Sequence, residues 1–131
     1  MLVNTEKSIN YMAKVYEADF RDVILRDADI TLIVPAEREF AGVAELEKRV
    51  GGPRAYLESL TLLESFDFGK HPARQAIKPT LGMRKAKFTK LDQSMTVQIP
   101  DVLDPPRTID RIVPARRGVV IFLKPLQQAV Q

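Results

Sequence analysis

ITLIVPAEREFAGVAELEKRVGGPRAYLESLTLLES, residues 30–65, decides the fold class. Ile30–Val34 is a run of β-branched and aliphatic residues of strand length. Pro35 stops the strand and can open a helix, because its missing N–H is one that a first helical turn leaves unpaired anyway. Ala36, Phe40, Val43 and Val50 then fall near one helical face with Leu46 beside them. Glu37 and Glu39 precede Lys48 and Arg49, the order that suits a helix dipole. Gly51-Gly52 supplies a C-cap and Pro53 a second start. Tyr56, Leu60 and Leu63 recur at i, i+4 and i+7, flanked by Leu57 and Leu62. The spacing predicts a helical hairpin over 36–65, entered from a strand.

Upstream, Val15, Phe20, Val23 and Leu25 predict a strand that Arg26-Asp27-Ala28-Asp29 links to Ile30–Val34 as an antiparallel hairpin. Residues 1–12 have no period and read as an N-terminal arm. Downstream, Gly69-Lys70-His71-Pro72 is a break, and 73–81 reads as a short helix or loop. Residues 84–91 and Ser94–Ile99 predict an antiparallel pair turning at Leu91–Ser94. Pro105-Pro106 makes 101–107 an extended loop. Thr108–Val113 is a short strand, Pro114–Gly118 a turn, and Gly118–Leu123 (GVVIFL) a central strand covered on both faces. Strands, then helices, then strands predict an α+β fold. Its architecture is an antiparallel sheet or partial β-barrel of five or six strands, in one domain over 13–125 with a tail at 126–131.

The composition admits one core: 131 residues, 45% apolar and 28% charged. There is no cysteine, which removes thiolate metal sites, disulfides and thiol nucleophiles together. No apolar run approaches the ~18 residues of a membrane span, and Met1–Asn10 lacks the apolar core of a signal peptide. A soluble protein of the cytoplasm or of a virus particle is expected.

Catalytic chemistry has little to stand on. His71 is the only histidine and sits between Lys70 and Arg74, whose charges would repel a bound metal; an exposed loop histidine is expected. No serine lies in a Gly-x-Ser-x-Gly turn, and the six glycines form no phosphate-cradling pattern. Asp19, Asp22, Asp27 and Asp29 cluster, but Arg21 and Arg26 are interleaved, as on the solvated face of a hairpin. We expect no catalytic residue, no metal and no cofactor, and hence no enzyme.

Charge carries the remaining signal. Net charge is +3. Residues 1–69 hold 8 Lys/Arg and 13 Asp/Glu, whereas 70–131 hold 12 and 4. Lys70, Arg74, Lys78, Arg84, Lys85, Lys87 and Lys90 follow one another with no acid between them, and Arg116-Arg117 lies on a later turn. Such unlike halves suit head-to-tail contacts between protein subunits. The first expectation is a non-enzymatic structural or interaction subunit of an assembly, a homo-oligomer or a partner of other subunits, with a viral or phage particle component as one example. In it Arg84, Lys85, Lys87 and Lys90 meet Asp19, Asp22, Asp27 and Asp29 of a neighbour. The alternative is a nucleic-acid-binding module that uses 70–90 as a phosphate track. Phe88 lies within that track, with Phe66 and Phe68 just before it, as its only aromatic platforms.

Overall fold

The computed structural model describes residues 29–36, 43–115 and 118–125. Seven strands form one sheet: β1 (Ile30–Val34), β2 (Thr61–Leu62), β3 (Gln75–Pro79), β4 (Lys85–Leu91), β5 (Ser94–Ile99), β6 (Leu103–Ala115) and β7 (Gly118–Leu123). Their spatial order is β2-β1-β7-β6-β5-β4-β3. A bridge between Leu62 and Thr80 brings the two ends together, so the sheet nearly closes into a barrel. Helices α1 (Ala44–Val50) and α2 (Pro53–Ser59) lie between β1 and β2 in the chain.

The α+β class and the partial barrel stand; the strand count and the wholly antiparallel sheet do not. Among the described residues there are seven strands, not five or six, and the sheet is mixed. β1 runs parallel to β7, with Ile30 opposite Gly118 through Val34 opposite Phe122. GVVIFL is central as expected, held between β1 and β6, with Val119, Ile121, Phe122 and Leu123 buried. The partner strand expected within 13–25, and the arm at 1–12, lie outside the described residues.

The helical hairpin is shorter than 36–65. Residues 37–42 lie outside the described residues, and α2 stops at Ser59. Gly51, at φ +114, caps α1 as its composition implied, and Gly51 and Gly52 both donate to the Glu47 carbonyl at 3.1 and 2.7 Å. At the far end hydroxyls compete with the helix. Ser59 Oγ donates to the Ala55 carbonyl at 2.8 Å and Thr61 Oγ1 to the Leu57 carbonyl at 2.9 Å. The Leu60 carbonyl accepts from Ile33 N–H at 2.8 Å, which converts the next two residues into β2. Leu63, predicted to continue the apolar stripe, is therefore exposed, whereas Tyr56, Leu57, Leu60 and Leu62 are buried.

Two further segments depart from expectation for local reasons. Residues 75–79 form a strand rather than a helix or loop, but with an inverted pattern: Ile77 faces out and Lys78 is half-buried. Residues 103–107 belong to β6 despite Pro105-Pro106. Ile99 opposes Leu103 and Val97 opposes Arg107, so Asp104, Pro105 and Pro106 bulge opposite Gln98 alone and need no ladder hydrogen bonds. β4, β5 and their turn at Asp92-Gln93 match the reading, with Leu91 opposite Ser94.

One core fills the barrel and the helix contact, with Leu32, Ile33, Leu57, Leu60, Phe68, Phe88, Ile99 and Ile121 fully buried. Thr31 shows how the barrel joins its crossing segment. Its fully buried hydroxyl donates to the Glu64 carbonyl at 2.7 Å and accepts from Phe66 N–H at 2.8 Å. Thr31→Val keeps the shape and orphans both backbone groups. It is expected to cost about 1–3 kcal/mol, read as a lower urea midpoint at unchanged slope; a midpoint equal to wild type would refute this account.

Candidate functional site: the outer face of strands β3 to β6

Strand alternation sorts the basic run. In β4, Lys85 and Lys87 are exposed while Ala86 and Phe88 between them are fully buried. Cross-strand register extends the Lys85/Lys87 face: Ile77 and Pro79 of β3 oppose Lys87 and Lys85, Gln75 opposes Thr89, and Thr96 of β5 opposes Thr89 and Thr108. This outer face carries exposed Ile77 and Leu91 beside the two lysines. A shallow groove of about 310 Å³ crosses it. Leu91 and Pro106 contribute apolar lining, Gln75, Thr89, Thr96 and Gln98 contribute amides and hydroxyls, and Lys87 contributes the cation. The Gln98 amide nitrogen donates to Asp104 Oδ1 at 2.9 Å, which ties the groove wall to the β6 bulge.

Lys78 and Lys90 sit on the opposite face. Lys78 Nζ lies 3.2 Å from Glu64 Oε2 and 4.9 Å from the centre of the Phe66 ring. Lys90 Nζ lies 5.0 Å from the Phe68 ring centre and donates to the His71 carbonyl. Both ammonium groups thus pack over aromatic rings and help close the core. Arg84 turns toward the end of the barrel, with Nη2 3.9 Å from Asp101 Oδ2 and Nη1 3.5 Å from Ser59 Oγ. Lys70 and Arg74 are exposed before β3, Lys70 at the end of a 3-10 turn whose start is capped by Asp67.

The seven cations therefore do not form one track on the described surface. Lys85 and Lys87 stand together, Lys78 and Lys90 face the other way, and Arg84 has local partners. Arg116 and Arg117, and of the acidic set Asp19, Asp22 and Asp27, lie outside the described residues; Asp29 is exposed just ahead of β1.

The aromatic residues next to the basic run have a structural role. Phe66, Phe68 and Phe88 are buried, with ring centres 5.2–6.0 Å apart. None is a stacking platform for a base. His71 departs from the expected exposed loop residue: it is half-buried, its ring 5.3 Å from Phe66 and 6.0 Å from Phe68. Among the described residues no three of His, Asp and Glu converge in a way that would hold a metal ion, and no helix is long and apolar enough to cross a membrane. The groove escaped sequence reading because Gln75 and Pro106 lay in segments read as helix or loop. Thr89, Thr96 and Gln98 give the polar half of an alternating strand and no sharper signal.

No protein-family model matches the sequence, and no curated protein matches it. Among solved structures, the chain is similar to a FAS1 domain pair from the insect cell adhesion molecule fasciclin I, with a TM-score of 0.64 at 14% identity. The match covers 93% of this chain and 44% of the other, so the chain spans less than half the length of that pair. At this identity the likeness is one of fold: the seven-stranded, nearly closed sheet with its helical pair is a FAS1-like architecture.

Proposed function

We propose that this chain is a non-enzymatic interaction domain that self-associates through the outer face of β3 to β6. The observation that carries the reading is the juxtaposition there of exposed Ile77 and Leu91 with Lys85 and Lys87 beside the groove. Exposed aliphatic side chains beside charges of one sign are what a protein contact uses: the apolar groups supply affinity and the charges select an acidic partner. Adhesion by the fasciclin I molecule, itself a protein-contact function, accords with this use of the fold. Lys85 and Lys87 replace the four-cation set expected from sequence. Their counterpart on a second copy is Asp29 together with Asp19, Asp22 and Asp27. A subunit of a virus or phage particle is one instance of such an assembly.

Light scattering after size exclusion tests this at low and high salt. The wild-type mass is expected well above 14.8 kDa at low salt and to fall as salt screens the pairing. Reversing both lysines (Lys85→Glu with Lys87→Glu) should weaken association by about 100-fold, because like charges then face each other. A wild-type monomer under both conditions would refute the proposal.

A further inference from the structure

Strands β2 and β3 bring the sheet round on itself, but they meet at a single bridge, Leu62 opposite Thr80, whereas the other neighbours share ladders. Two backbone bonds support that bridge. Leu81 N–H donates to the Thr61 carbonyl at 2.9 Å and Gly82 N–H to the Glu58 carbonyl at 3.1 Å. All of these contacts lie at the hairpin end of β3. Toward Gln75 the two lips of the seam are held from behind and not to each other. One lip, residues 64–66, is pinned to β1: Thr31 Oγ1 donates to the Glu64 carbonyl at 2.7 Å and accepts from Phe66 N–H at 2.8 Å. The other lip, β3, is laddered to β4. Among the described residues no backbone hydrogen bond joins 63–66 to 75–78. Side chains make the crossing: Lys78 Nζ lies 3.2 Å from Glu64 Oε2 and 4.9 Å from the Phe66 ring centre.

We propose that this seam is a gate: the Glu64–Lys78 pair is its latch, the Leu62–Thr80 bridge is its pivot, and opening uncovers the Phe66, Phe68 and Phe88 rings while the rest of the barrel stays folded. Local opening takes the route that breaks the fewest bonds. Everywhere else in the barrel wall a ladder stands in the way: β4–β5, β5–β6, β6–β7 and β1–β7 are paired along their lengths. At the seam the obstacle is one ion pair whose two side chains are partly exposed. Such a pair holds little, and salt screens it. Behind it the three rings are buried with centres 5.2–6.0 Å apart. The open state therefore presents an apolar recess that the closed state lacks, a cryptic site gated by ionic strength. Lys85 and Lys87 take no part in the latch, so the gate is independent of the self-association reading.

Because the chain has no cysteine, a single introduced thiol reports the opening. Ala86 opposes Lys78 on β4, and Val97 lies one strand further from the seam; both are fully buried. Ala86→Cys and Val97→Cys proteins are labelled with an aromatic disulfide reagent in native buffer. Position 86 is expected to label at least about 10-fold faster than position 97, and with little dependence on sub-denaturing urea, because opening the seam exposes little surface. Glu64→Gln removes the latch charge and keeps the carbonyl that binds Thr31. In the Ala86→Cys protein it should speed labelling about 2- to 5-fold. High salt should do the same where Glu64 is retained and add nothing once it is replaced. Labelling at position 97 should respond to neither. Ala76→Cys, on β3 opposite Phe88, is the second reporter should Ala86→Cys not fold, read by its response to Glu64→Gln and to salt. Equal labelling at positions 86 and 97 with the same urea slope would mean that the seam opens only when the domain unfolds, and would overturn the gate. Labelling at position 86 that neither Glu64→Gln nor salt changes would overturn the latch.

Discussion

Gly118→Ala is expected to be the most damaging single-methyl change in the chain. Gly118 opens β7 at φ +145, a conformation that side chains resist, and it opposes Ile30 on the first rung of the parallel β1–β7 pair. A Cβ there would lie 1.8 Å from the Ile30 carbonyl oxygen and 2.9 Å from its carbon. Those atoms are backbone, held within the sheet, so no side chain can swing aside. Relief requires β1 to separate from β7 where the two strands first meet. The expected cost is at least about 4 kcal/mol, a large part of the ~5–15 kcal/mol that holds a typical domain folded. Gly52→Ala is the matched control. Gly52 has φ +117 and ψ 177 but nothing within 4 Å of its added Cβ, so only the backbone strain is felt, about 1–3 kcal/mol. Urea unfolding followed by far-ultraviolet circular dichroism should show Gly52→Ala folded with a lower midpoint. Gly118→Ala should be far less stable or insoluble. Equal midpoints for the two would show that β1 does not pass Gly118 as described.

The same junction marks the limit of what the sequence discloses. GVVIFL announces a buried central strand, and it is one. Nothing in it says that the neighbour is Ile30–Val34, 88 residues earlier at each paired position, or that the pairing is parallel. Alternation made β5 legible because its apolar and polar residues follow the sheet faces. β3 was illegible because Ile77 points out and Lys78 lies over Phe66, the reverse of what polarity suggests. β6 was hidden by a proline pair that a bulge accommodates. The basic run misled in a more instructive way. Once 84–91 is a strand, Lys85 and Lys87 share a parity that Lys90 does not, so its division between two faces was already implied. The ammonium groups of Lys78 and Lys90 lie over the rings of Phe66 and Phe68, where charge serves packing.

That division makes the two faces of β4 separable by experiment. Phe88 is fully buried, its ring centre 5.2 Å from Phe66 and 5.3 Å from Phe68, and it opposes Ala76 on one side and Val97 on the other. Phe88→Ala removes a whole ring from a site whose walls are strands on both sides and two further rings, none of which can collapse inward without breaking ladder pairs. It is expected to cost about 3–5 kcal/mol, with the urea midpoint falling and the slope unchanged. Phe88→Leu fills most of the space and should lose less than half as much. One residue away, Lys87 shares the strand but points to solvent, so the Lys85→Glu, Lys87→Glu protein should unfold within about 0.5 kcal/mol of wild type while its association collapses. A Phe88→Ala protein as stable as wild type would remove the aromatic cluster from the core. A lysine reversal that destabilises the monomer would mean that Lys85 and Lys87 serve the fold, and that their outward position cannot be credited to a partner.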